Sequence, residues 1–433
     1  MPGTLPESAL ADLAVVVSAY AARRAGWEAE APAAHVLDAV QLRAGRPGLV
    51  DVVAQVGPRL VHVPLGLRRP GDELAMAADG EDPLLGSVDD GEGEAVAFDA
   101  LRDSETAALL LAHVAGRRVD PRLVHQVHQD EFSVTLAMEE RYAFTVFNTV
   151  AAGPRPDVEV LLALDEAGFN HVPAPLQRWR RADWDLGIVQ EHLAGASIGL
   201  ALALTSVRDL YGSGGPPELA GGDFGAEAHR LGTTAARMHL ALERAYGRRP
   251  AQVDLWADGV DAALRARRPH QVERPETVTV LDELRALSSA GAALGGHCIR
   301  THGDFHLGRV WRTEQGWYVG DLGPAGVPPT PPAGPGPMVE EHDGVPYRSP
   351  LADVADMMWS LGQVATSAAD ERDPNGSEGL GELAVAWEQR NRGAFLAGYL
   401  GVPGISVLLP RSREAVRVVV AALELERASR AAT

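Results

Sequence analysis

The sequence contains no lysine, so all 39 of its basic side chains are arginines. That absence excludes a Schiff-base nucleophile, a pyridoxal-phosphate anchor and a Walker-type phosphate lysine. Arginine does not simply stand in, because its guanidinium is wider, planar and always charged. Cysteine is almost absent too. The lone Cys298 excludes an internal disulfide and a thiolate cluster for zinc or iron–sulfur. No apolar run approaches the ~20 residues of a membrane span. The start, MPGTLPESALADLA, carries Glu7 and Asp12 where a secretory leader needs positive charge, and a cytoplasmic protein is expected. Cations are outnumbered: 59 acidic residues leave a formal charge of −20. Such a surface repels nucleic acid and anionic membrane, so neither is expected as a partner.

What remains is ordinary for a globular chain, with 46% hydrophobic and 23% charged residues over 433 positions. Short strands are predicted at 50–53 and 60–65, a loop or hairpin tip over the acidic stretch 79–94, and a helix over 98–115. The runs 132–138 and 142–147 are rich in β-forming residues and flank Glu139-Glu140-Arg141, which reads as a hairpin. A helix is predicted from Asp157, its expected N-cap, to Ala167, and a strand over 186–190. Helices follow over 197–210, 224–246, 252–267 and 277–289, then strand–loop–strand around 298–321. The Gly/Pro-rich 323–338 stretch excludes regular structure, and the chain is helical again from Leu351. No internal repeat is present.

The densest polar cluster is His302-Gly303-Asp304-Phe305-His306, followed after a short arm by Gly320-Asp321-Leu322-Gly323. Two aspartates joined by a hairpin suit phosphoryl transfer: one orients the acceptor hydroxyl, the other holds Mg²⁺ against the phosphates. A competing reading takes His302, Asp304 and His306 as an alternating metal-binding set for a hydrolase, with His297 nearby. His125 and His128 read as ordinary polar residues near a linker. Gly195-Ala196-Ser197-Ile198-Gly199 matches a nucleophile elbow, but a polar stretch separates it from the strand before it. Ser197 is the expected N-cap of the following helix instead. On a late helix, Trp387, Arg390, Asn391, Phe395 and Tyr399 could stack on a sugar and bond its hydroxyls, or simply pack.

Taken together, these residues carry a family pattern. It runs through Ser206-Val207-Arg208-Asp209-Leu210, Gly221-Gly222-Asp223-Phe224, Arg230-Leu231-Gly232 with His239, and His302 to Gly308. It continues through Ser349 to Ala355, Trp387 to Phe395, and Leu423-Glu424-Leu425-Glu426-Arg427. The sequence resembles actinobacterial maltokinases and their glucosamine-kinase relatives, within the aminoglycoside-phosphotransferase-like kinases. The resemblance implies an α+β, two-lobed protein-kinase-like fold with an N-terminal cap. The cap would span residues 1–120, a β-rich small lobe with the hinge 121–193, and a helical large lobe 194–433. It implies ATP and Mg²⁺ as cofactors and a sugar or aminosugar as partner. By position, Asp304 matches the catalytic base, Asp321 the metal aspartate and Glu159 the helix glutamate that pairs with the phosphate lysine. Ser133 falls with the nucleotide-binding positions, Gln190, Glu191, His192 and Leu193 with the adenine hinge. His306, Trp387, Arg390, Asn391 and Tyr399 fall with the acceptor.

Two positions depart from the pattern. Thr145 stands where the family has its lysine, and its hydroxyl cannot neutralise phosphates or pair with Glu159. Arg309 stands where the family has Asn or Gln as second metal ligand. A guanidinium repels Mg²⁺ but could bind a phosphate directly. The chain also stops soon after Arg427, where relatives carry a further aromatic tail, so part of the acceptor site is expected to differ. The expectation is a maltokinase-like protein with impaired catalysis that still binds nucleotide or sugar. The alternative is an active sugar, aminosugar or aminoglycoside phosphotransferase with rewired phosphate contacts. A metal-dependent hydrolase stands third.

Overall fold

The computed structural model describes residues 5–23, 33–74, 83–219, 222–289, 295–320, 322, 339–342, 345–374, 376 and 379–430. The 323–338 stretch and Asp321 lie outside the described residues. The chain divides into two compact units: Met1–Val158 with Pro173–Ala194, and Glu159–Val172 with Gly195–Ala325 and Pro331–Thr433.

The first unit opens with helix α1 (Glu7–Ala22) and strands β1 (His35–Arg43), β2 (Gly48–Val56), β3 (Arg59–Arg68), β4 (Leu84–Asp89) and β5 (Glu94–Asp99). These strands form an antiparallel sheet in the order β1-β2-β3-β5-β4. β2 and β3 are almost wholly buried, which their near-continuous apolar runs require. α1 sets Leu13, Val16, Val17 and Tyr20 into the same core. Helix α2 (Ser104–Ala115) follows, capped by Asp103, whose side chain accepts the Thr106 N–H at 2.9 Å, and ended by Gly116. The helix expected over 98–115 therefore starts later: Phe98 belongs to β5, and the acidic stretch before it is β4 and its turn as well as loop.

A second antiparallel sheet contains β6 (Val124–Gln129), β7 (Ser133–Met138), β8 (Tyr142–Phe147), β10 (Pro175–Arg181) and β11 (Trp184–Glu191), in the order β10-β11-β8-β7-β6. A short strand β9 (Thr149–Val150) joins β3. His125 and His128 sit on β6 rather than in a linker. Helix α3 (Pro156–Glu166) begins one residue before Asp157, which lies in its first turn.

The second unit is mainly helical. It holds β12 (Ser197–Ile198), α4 (Gly199–Ser213), α5 (Gly225–Tyr246), β13 (Arg249–Pro250), α6 (Val253–Arg267), α7 (Pro269–Val272), α8 (Pro275–Ser289) and β14 (His297–Cys298). Then come β15 (Val310–Thr313), β16 (Gly316–Val319), β17 (Val339–His342), β18 (Val345–Arg348), α9 (Leu351–Arg372), α10 (Leu380–Leu400) and α11 (Arg413–Arg430). α5 and α10 cross at glycines: a Cβ on Gly232 would meet the Phe395 carbonyl oxygen at 2.0 Å, and one on Gly398 the His229 carbonyl oxygen at 2.0 Å. Ser197 does not cap α4. It pairs with Arg312 in β12–β15 and is exposed, so it is neither an N-cap nor an elbow nucleophile. No helix among the described residues is long and apolar enough to cross a membrane.

Candidate functional site

In the second unit the loop from Thr301 to His306 leaves the bridge between Ile299 and Arg348 and leads through a short turn into β15. Gly303 adopts φ +90°, a left-handed conformation that disfavours any side chain. Asp353, fully buried in the first turn of α9, fixes this loop from below. Its Oδ2 accepts the His302 N–H at 2.8 Å and its Oδ1 the Gly303 N–H at 3.0 Å. His239 Nε2 donates to the same Oδ2 at 2.9 Å, and Tyr399 donates its hydroxyl to His239 Nδ1 at 2.8 Å. Burial alone would raise the Asp353 carboxyl, but the His239 hydrogen bond, with the nearby His302 and the Gly303 N–H, holds it below the usual carboxylate range. The His302 ring is likewise internal. Burial lowers its pKa, its Nδ1 accepts from Asp304 N–H at 3.3 Å, and its Nε2 donates to the Gly320 carbonyl at 3.0 Å.

With both ring nitrogens of His302 engaged by backbone, the alternating His-Asp-His metal set does not form. No group of three His, Cys, Asp or Glu side chains among the described residues could hold a metal ion. At the position five residues beyond Asp304 stands a guanidinium, which cannot ligate a cation.

Asp304 lies on the loop held by Asp353, and both its oxygens face cations. Arg309 Nε is 3.2 Å from Oδ2 and Arg427 Nη2, from α11, is 3.6 Å from Oδ1. Arg427 also reaches Asp356 at 3.5 Å and stacks 4.9 Å over the Trp359 ring. His306 accepts the Gly308 N–H on Nδ1 at 3.1 Å, and its Nε2 lies 3.3 Å from Arg309 Nε and 3.6 Å from Asp304 Oδ2. Burial would raise the Asp304 carboxyl. The His306 contact and the charges of Arg309 and Arg427 outweigh it and bring the group down to about 2. The result is a carboxylate ionised at every physiological pH and clamped between two guanidiniums.

Glu159, on α3, has Arg300 as neighbour, with Nη1 at 3.9 Å, and Arg300 itself lies 4.6 Å over the Tyr246 ring. The glutamate matched to a lysine partner thus faces an arginine from the strand end before the His302 loop.

In the first unit, Thr145 on β8 faces Thr135 on β7, hydroxyl to hydroxyl at 2.9 Å. The two hydroxyls make a neutral pair at this point of the sheet. Ser133 opens β7, with its N–H donating to Asp130 Oδ1 at 2.7 Å. Gln190 and Glu191 end β11. Glu191 and His192 donate their N–H groups to the Ala174 and Arg141 carbonyls at 2.9 Å each, and Leu193 continues the connection.

Three of the residues matched to the acceptor are buried. Trp387 is buried and donates its indole N–H to Ser206 at 3.0 Å. Asn391 is buried and donates to the Trp387 carbonyl at 2.8 Å. Tyr399 is buried against His239. The side chains of this stripe pack in the core of the second unit. Only Arg390 stays near the surface, bidentate to Asp223 at 2.5 and 2.8 Å.

Asp353, His239, Arg300, Asp356 and Arg427 were not assigned site roles from the sequence. Three of them, His239, Asp353 and Arg427, lie inside quoted family segments, so position in those segments was the available signal.

A small antiparallel sheet precedes a helical unit with a His-Gly-Asp loop anchored by a buried aspartate, an α+β, kinase-like fold similar to that of solved glucosamine kinases. Over 183 residues the chain is 34% identical to the glucosamine kinase of Streptacidiphilus jiangxiensis, a match that spans 39% of each chain. Among solved structures, a glucosamine kinase aligns over 99% of this chain and 94% of its own with a TM-score of 0.63 at 21% identity. A glucosamine kinase in complex with glucosamine, ADP and inorganic phosphate aligns over 99% and 94% with a TM-score of 0.62 at 20% identity. No family model matches the chain.

Proposed function

We propose that this protein descends from ATP-dependent sugar kinases of the maltokinase and glucosamine kinase kind, and that phosphotransfer is impaired while nucleotide and sugar or aminosugar recognition persists. The observation that carries the reading is the placement of guanidiniums against both oxygens of Asp304. Phosphoryl transfer depends on positioning and charge neutralisation rather than covalent help from the protein. In this reading Asp304 occupies the base position and Asp321 the metal position, with Glu159 and Thr145 in place of the glutamate–lysine pair. Gln190, Glu191, His192 and Leu193 form the adenine hinge, and His306 lies on the acceptor side. An acceptor hydroxyl would have to displace Arg309 or Arg427 to reach the carboxylate, and a carboxyl at about 2 is a weak proton acceptor. The relative solved with glucosamine and ADP supports recognition of those ligand classes here.

A second reading rests on the same arginines. Arg309 could supply the charge that Mg²⁺ and lysine supply elsewhere, leaving an active phosphotransferase with rewired contacts. One experiment separates the two: ATP consumption with a panel of sugars and aminosugars, glucosamine included, by the wild type and Asp304→Asn. The impaired reading expects no turnover above background in either protein. Turnover in the wild type that Asp304→Asn abolishes would establish the active enzyme instead.

A further inference from the structure

Arg427, on α11, is paired differently from Arg46 and Arg178. Arg46 grips Asp90 through two hydrogen bonds at 2.7 and 2.9 Å, and Arg178 grips Asp185 through two at 2.5 and 2.7 Å. Two parallel bonds of this kind are the natural fit of a guanidinium to a carboxylate. Arg427 stands between two carboxylates and forks onto neither. Its Nη2 is 3.6 Å from Asp304 Oδ1 and its Nε is 3.5 Å from Asp356 Oδ1. Nε is buried without a hydrogen-bond partner. Both contacts are therefore Coulombic, and the directional bonding capacity of this guanidinium is unspent.

The head group is nevertheless held in place. It lies 4.9 Å over the half-buried Trp359 ring, which fixes its plane. One residue earlier, Glu426 accepts a hydrogen bond from Arg348 at 2.9 Å, and this buried pair anchors the same turn of α11. The side chains of Arg427 and Asp304 are 19% and 18% exposed, enough for a group in solution to reach them. A cation arriving here meets a carboxylate that already faces two guanidiniums. An oxyanion meets an oriented guanidinium with bonds to give. If Arg427 turns to such a group, Arg309 remains 3.2 Å from Asp304 Oδ2 and the buried Arg348 remains in the field of Asp356. Neither carboxylate is then left without a cation.

We propose that Arg427 is a specificity determinant for an anionic sugar, one that carries a carboxylate or phosphate group, in preference to a neutral sugar or an aminosugar. The inference rests on the reading above, in which sugar recognition persists on the acceptor side of Asp304. The oxyanion takes from Arg427 the two parallel bonds that Asp304 and Asp356 do not take. Asp304 Oδ1, relieved of Arg427, then accepts a hydroxyl of the same sugar. An aminosugar brings its ammonium into the neighbourhood of Arg309 and Arg427 and has no oxyanion to offer in return.

Isothermal titration of the full chain, without nucleotide or Mg²⁺, tests this with glucose, glucosamine, glucuronate, glucose 6-phosphate and inorganic phosphate. The proteins are the wild type, Arg427→Gln and Arg427→Lys; lysine keeps the charge but not the planar fork. In the wild type at least one of the two anionic sugars should bind about tenfold or more tightly than glucose and glucosamine. Arg427→Gln should bring that sugar down to the level of glucose, with glucose itself changed by less than about twofold, and Arg427→Lys should fall between. A purely structural role for Arg427 would weaken every sugar alike and leave the ratio unmoved. A wild type that prefers glucose or glucosamine overturns the inference and leaves sugar recognition standing. An anionic preference that survives in both variants overturns the role of Arg427. Inorganic phosphate binding as tightly as glucose 6-phosphate, with glucuronate no tighter than glucose, reduces the site to an anion site and overturns the sugar. If no sugar binds the wild type, the inference falls together with the sugar half of the proposed function.

Discussion

Arg309 Nε lies 3.2 Å from Asp304 Oδ2, only five residues along the chain from the carboxylate it neutralises. The short turn Leu307–Arg309 brings the guanidinium back over the loop, so the pair is set by local geometry. Arg427 adds the second contact from α11, far away in sequence. The two guanidiniums stabilise Asp304 as an anion.

That balance has a consequence for acid stability. The folded-state pKa of Asp304, about 2, lies below its ordinary 3.8. A group depressed on folding contributes stability that is complete above the unfolded value and is lost as pH falls through the folded one. The contribution is about 2 kcal/mol at neutral pH, fading between about pH 4 and pH 2. In Arg309→Gln the depression shrinks, and with it the part of the acid sensitivity that belongs to Asp304. Urea denaturation of the wild type and Arg309→Gln at pH 7 and near pH 3 checks this. The wild type should lose more stability between the two pH values than the variant, and equal losses would remove Arg309 from the electrostatics of Asp304.

How the His302 loop is supported gives a sharper expectation. Asp353 accepts three hydrogen bonds and is closed off by His239 and Tyr399. Asp353→Ala leaves two backbone N–H groups and a histidine buried without their acceptor, a change of about 3–5 kcal/mol. Tyr399→Phe removes one hydroxyl from the same chain and should cost about 1 kcal/mol. Chemical denaturation of both variants measures the difference. If Tyr399→Phe proved as damaging as Asp353→Ala, the loop would depend on the whole chain of hydrogen bonds rather than on the carboxylate.

These cases show why parts of the molecule were legible in the sequence and others were not. His302 to His306 is contiguous, so its chemistry could be read directly, and the hairpin after it followed from β-forming runs around a turn. Asp353 and Arg427 meet that loop from 49 and 123 residues beyond Asp304, and no spacing rule connects them. The stripe Trp387, Asn391, Phe395, Tyr399 repeats every four residues, which predicts one helix face. Whether that face meets a ligand or another helix depends on the partner, and here it lies in the core. At 98–115 the apolar spacing continued through Asp103-Ser104-Glu105, and the capping signal at Asp103 marked the true helix start. Helix α1 carried apolar residues at 9, 13, 16, 17 and 20, a helical period that was present but unread.

The α5–α10 crossing offers a test of packing independent of any ligand. At Gly398 a Cβ would lie 2.0 Å from the His229 carbonyl oxygen, and at Gly232 one would lie 2.0 Å from that of Phe395. Both obstacles are backbone, so neither can rotate away. The helices can approach this closely only because each presents a bare Cα to the other. Gly398→Ala forces them apart and disturbs the neighbouring Tyr399, hence the hydroxyl bonded to His239. The expected loss is about 1–3 kcal/mol or more, against the ~1 kcal/mol gain that a Gly-to-Ala change gives in an exposed helix interior. Gly393→Ala, on the same helix with nothing within 4 Å of its Cβ, is the matched control and should stabilise. Thermal melts of the two variants decide the matter: opposite shifts support close helix contact at Gly398, and two gains would refute it.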